Sequence, residues 1–193
     1  SLTGNNTYTG NTTINAGTIE IGAAGRLGGG SYAGNITMTG AFTYNSTADQ
    51  TLSGRISGAG LLTKIGASTL TLSGNNTMSG ILDMGINDEA SNGGAVRLEH
   101  SNALGTKSVE FETEGTITLG ASGLTISNSM LLYNRGSNGQ RSFVLDIAGT
   151  NTGAFAGQFD IRKNVLTFDV GADDTLTLSG NITNGSTGAG GFT

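Results

Sequence analysis

LTGNNTYTG at residues 2–10 returns almost unchanged as LSGNNTMSG at 72–80, and a looser copy, LSGNITNGS, stands at 178–186. A second element, TLSGRISGAGLL at 51–62, matches TLSGNITNGSTGAGGF at 177–192 once four residues are inserted in the later copy. Internal repetition is the signature of stacked architectures, in which each unit buries its apolar face only against its neighbours. Between the copies, short runs of four to six β-favouring residues recur, among them 18–21, 35–39, 41–44, 69–72, 95–99, 108–112, 116–119, 124–127, 142–147, 158–161, 165–170 and 175–178. Nearly every gap holds Gly, Asn or Ser. Alternation within the runs assigns Leu70 and Leu72, Ile117 and Leu119, Leu166, Phe168 and Val170, and Leu176 and Leu178 to a buried side, with Thr, Ser and Asp opposite.

Composition points the same way. Gly occurs 34 times in 193 residues, Pro and Cys are absent, and only 12% of residues are charged, so there is little helix-forming material. A net charge of -5 and recurrent β-branched residues oppose the alternative of a disordered chain, which carries more charge and fewer such residues. Without Cys, neither disulfides nor thiolate metal sites hold the fold. A pI near 4.6 and scattered basic residues, of which only Arg162 and Lys163 adjoin, oppose a nucleic-acid partner. No stretch approaches the roughly 18 apolar residues that cross a bilayer, so no direct membrane insertion is expected.

An antiparallel sandwich and a stacked parallel coil both use many short strands with Gly-rich corners. Two-residue hairpin signals are few: 92–93, 138–139 and Asn184-Gly185. The expected fold is therefore all-β, a right-handed parallel β-helix (solenoid) forming a single module over 1–193. At ~20–25 residues per turn the expectation is eight or nine turns, a rod on the order of 40 Å at the usual strand spacing.

The segments GAGLLTKIGASTLTLSGNNTMSG (58–80) and LTGNNTYTGNTTINAGTIEIG (2–22) closely resemble the autotransporter-associated β-strand repeat of type V secreted passengers and large bacterial surface adhesins. SNALGTKSVEF at 101–111 resembles a connector common in those passengers. The resemblance covers about half the chain. It implies a stalk or adhesive rod outside the cell, meeting a host or environmental surface, a glycan or protein receptor, or copies of itself, and it implies no catalytic residues. After Gly80 the sequence departs from the pattern, and 83–94 is expected to protrude as a loop with its polar tip at 87–89. The chain begins in the second half of the motif and ends in its first half, which fits either a slice of a longer passenger or end-to-end stacking into a fibre.

The chemistry-bearing residues are few. His100, beside Glu99, is the sole histidine, and no Gly-x-Ser-x-Gly elbow accompanies it, so a hydrolytic triad is not expected. A polysaccharide-cleaving β-helix would need two carboxylates facing a sugar groove. The candidates are Asp160 with Asp169, Asp173 with Asp174, and Glu110, Glu112 and Glu114, read as alternating on one strand face. Trp is absent and aromatics are 6%, which leaves little to stack against sugars. The 170–174 turn lacks the repeated Gly-Gly-x-Gly-x-Asp of calcium-binding rolls. The expectation is no enzyme, no catalytic residue, no metal and no cofactor. The sequons at Asn5, Asn11, Asn35, Asn45, Asn75, Asn181 and Asn184 are read as a stacked Asn ladder.

Overall fold

A computed structural model describes residues 1–85, 94–133, 142–149, 151–162, 164–185 and 191–192. Most of the expected 83–94 loop, its tip included, lies outside them. Among the described residues every strand pairing is parallel, and the winding returns to a first and a second face turn after turn. A first face stacks eight strands, from Thr18–Ala23 to Ile182–Thr183, and a second stacks eight from Ser31–Tyr32 to Gly191–Phe192. A third, shorter ladder holds Thr12–Ile14, Ile36–Met38 and Ile56–Ser57, then stops. Leu124–Ile126, Thr152–Phe155 and Thr175–Leu178 take it up again later.

Eight strands on a face make about seven turns, one or two fewer than expected. The reason lies in the register. Ile19, Phe42, Leu62, Leu82, Val109, Met130, Phe159 and Ile182 stack in one column, and their spacings are 23, 20, 20, 27, 21, 29 and 23 residues. Two turns are wider than the expected range, but the spacings on average stay inside it; the count is lower because the column runs only from Ile19 to Ile182.

Alternation builds the core. Thr69–Leu72 and Ala41–Ser46 bury every second side chain, as a pleated strand with one dry face must. Leu52, Leu72, Leu98, Leu119 and Ile147 line up inside the second face, all buried. Each such aliphatic side chain contributes ~1.5–3 kcal/mol on leaving water. Val170 departs from the reading: the strand ends at Asp169, and Val170 enters an exposed turn, 40% accessible.

The three copies of the Leu-(Ser/Thr)-Gly-Asn motif occupy three different faces. Leu2 bridges to Ile21 on the first face, Leu72 pairs between Leu52 and Leu98 on the second, and Leu178 pairs with Phe155 on the third. The copies lie 70 and 106 residues apart, and turns of unequal length do not divide those spacings into whole turns. What the motif specifies locally is a corner. After Leu52, Leu72 and Leu178 comes a glycine, Gly54, Gly74 or Gly180, whose missing Cβ leaves room for the backbone carbonyl of the turn beneath, from Gly34, Gly54 and Gly157.

Candidate functional site

Of the candidate carboxylates, Asp160 and Asp169 belong to different faces of the coil. Asp160 points outward from the first face, and its Oδ2 accepts from Arg162 Nε at 2.8 Å. Arg162 in turn lies 4.3 Å over the Tyr133 ring, while Lys163 falls outside the described residues. Asp169 ends a strand of the second face, stacked on Asp146, so the two aspartates stand on different sides of the rod. Asp174 works as a cap: its Oδ1 accepts from Asn151 N at 2.7 Å, and its own N–H closes the turn onto Gly171 O. The reading of Glu110, Glu112 and Glu114 as one strand face is corrected. The strand Val109–Phe111 ends before Glu112, so Glu110 projects from the strand, Glu112 is buried at the corner and Glu114 is exposed.

His100 is a turn residue. Its Nδ1 accepts from Asn102 N at 2.9 Å and its carbonyl from Ala103 N at 3.0 Å, while Glu99 pairs with Arg97 at 3.2 Å. No cluster of three metal-ligating side chains occurs among the described residues.

The Asn ladder is real but short. Asn11 Oδ1 accepts from Asn35 N and Asn35 Oδ1 from Arg55 N, both at 2.9 Å, each side chain serving the turn above. Arg55 carries no acceptor to continue it. Asn76, buried at 2% exposure, takes over from the other direction: its Oδ1 accepts from Ile56 N at 2.7 Å, and its Nδ2 donates to Ala103 O at 2.6 Å. At other corners Asp49, Ser101 and Ser122 bond the backbone N–H of a neighbouring turn.

Two features escaped sequence reasoning. One is a groove of about 400 Å³ where the third ladder is interrupted, lined by Leu61, Ile81, Ala59, Gly80, Ser79, Ser108 and Lys107. Its residues come from three separate turns, so only register could have joined them. The other is Lys64. It is fully buried, its Nζ donates to the carbonyls of Ile65 and Gly66 at 2.9 and 2.8 Å, and it lies 5.8 Å from the Tyr44 ring. Burial depresses its pKa to about 8, opposed by the charge of Asp49. The parity of Leu62 and Lys64 was the available signal.

Outward positions are short and polar over much of the rod. Thr51 stacks on Thr71, Thr43 on Thr63, and Thr13, Thr37 and Ser57 follow one another on the third face. Residues 1–21 and 62–83 match the family of the passenger-associated-transport-repeat. The chain carries this passenger repeat. Each matched stretch is one turn of the coil in length, since Leu2 lies under Ile21 and Leu62 under Leu82. The repeat thus coincides with the structural unit that stacks. No curated protein and no solved structure gives a significant match to the chain.

Proposed function

We propose that the chain is a rigid rod of an exported passenger, displayed at a bacterial cell surface, where its ladders of Thr, Ser and Asn meet glycans or proteins of a host or environmental surface. The observation that carries this reading is the passenger repeat folded as one turn of a parallel coil. Stability spread over many inter-turn contacts suits a spacer, because each turn depends only on its neighbours. The reading contains no catalytic step. To test it, the protein is expressed in its host and intact cells are probed with antibody to the rod and with external protease. Labelling and cleavage without lysis support surface display; signal only after lysis overturns it. Binding of the purified rod to glycan and matrix-protein arrays tests the adhesive part, which fails if no surface retains it.

A second reading, copies stacked end to end as a fibre, draws on the in-register parallel stacking of Met130, Phe159 and Ile182, a column that a further copy would extend. Rods that lengthen with concentration in light scattering support it, and rods of constant length sink it.

A further inference from the structure

We propose that Lys64 makes the edge between the first and second faces, residues 64–68, a proton-controlled opening point of the rod, which loosens while the buried amine is charged and tightens as it loses its proton. Lys64 is the last residue of Leu62–Lys64 and lies in an inward column between Tyr44 and Met84. Among the described residues, its amine donates to two backbone carbonyls and to no carboxylate. The turn above closes over it at Gly94, where a Cβ would stand 2.6 Å from Nζ.

Among the described residues, groups face the amine from each element packed against it. From the strand below comes Tyr44, whose phenol burial pushes upward, so it stays neutral. From the corner beyond comes Asp49, whose Oδ1 is held by Thr69 N at 2.8 Å and whose charge favours the ammonium form. From above comes Met84, which is apolar. Ser68 at the corner donates its hydroxyl to Ser46 O.

When the corner opens, Lys64 meets water and regains an ordinary lysine affinity for protons, near 10.4. The closed amine releases its proton at about 8. The open form therefore binds more protons between those values, and the closed form gains stability as pH rises through that window. Well below pH 8 both forms are protonated and the opening constant is level. Between pH 7 and 9 it falls about tenfold.

Hydrogen exchange reads this directly. The Ile65 N–H bonds to Tyr44 O and the Gly85 N–H to Lys64 O, both at 3.0 Å, so both amides report opening of this edge. After correction for the intrinsic base-catalysed rate, their protection should rise about tenfold from pH 7 to 9, while amides in Gly115–Leu119 stay level. In Lys64→Met the rise should vanish. Asp49→Asn, which keeps an acceptor for Thr69 N but removes the charge holding the proton on, should move the midpoint to lower pH, and it keeps the idea testable if Lys64→Met does not fold. Level protection in the native chain, an equal rise in Lys64→Met, or an unmoved midpoint in Asp49→Asn overturns the proposal.

Discussion

Gly80 stacks on Gly60 so closely that a Cβ on Gly80 would run into the Gly60 carbonyl oxygen; Gly60 meets Gly40 in the same way, and Gly40 meets Gly17. This edge, between the third and first faces, is where backbone packs on backbone with no space for a side chain. Gly80→Ala is expected to cost ~1–3 kcal/mol by overpacking. Gly10 has open space where its Cβ would point, so Gly10→Ala should stay within about 0.5 kcal/mol of the native chain. Denaturant midpoints compare the two; equal shifts would mean that the stacked edge is not close-packed.

Leu72 lies in the inward column between Leu52 and Leu98 and is completely buried. Truncation to Ala should cost ~2–5 kcal/mol. Leu72→Asp should abolish folding or melt the surrounding turns, since an unpaired carboxylate has no water there. Far-ultraviolet circular dichroism and proteolysis check this, and an intact rod in the Leu72→Asp variant would refute the inward assignment.

Asn76 joins three successive turns by accepting from Ile56 N and donating to Ala103 O. Asn76→Asp keeps the acceptor and loses the donor, leaving the Ala103 carbonyl without its partner, at an expected ~1–3 kcal/mol. Part of that loss should return on acidification, because a protonated carboxyl can donate again. A deficit relative to the native chain that stays constant from pH 7 to 3 would show that the donor is not what matters.

His100→Ala removes one hydrogen bond, to Asn102 N, in a surface turn. The expected cost is ~0.5–1.5 kcal/mol in thermal unfolding, with receptor or surface binding unchanged. A selective loss of binding with stability intact would move His100 from the structure of the turn to the function of the rod.

Much of this architecture was legible in residue order. Strands Thr69–Leu72, Ser142–Ile147 and Thr175–Leu178 fall where the alternation put them, because a period of two with one wet side is a local property. The ladder of Thr12–Ile14 and Ile36–Met38 was only half seen, since three-residue strands are too short to show a period. The glutamates were misassigned because alternation was carried past Phe111, where the strand ends.

From the sequence alone came the parallel coil, the Gly and Asn corners and the passenger repeat, because alternation, small corner residues and near-identical segments are all written along the chain. Only the tertiary structure decided the length of each turn, and with it which residues stack. Turn length depends on where the carbonyls of one turn meet the next, a contact between residues 20 to 29 positions apart. That is why one motif appears on three faces, why Asp160 and Asp169 stand apart, and why Lys64 sits inside the rod with two backbone carbonyls for company.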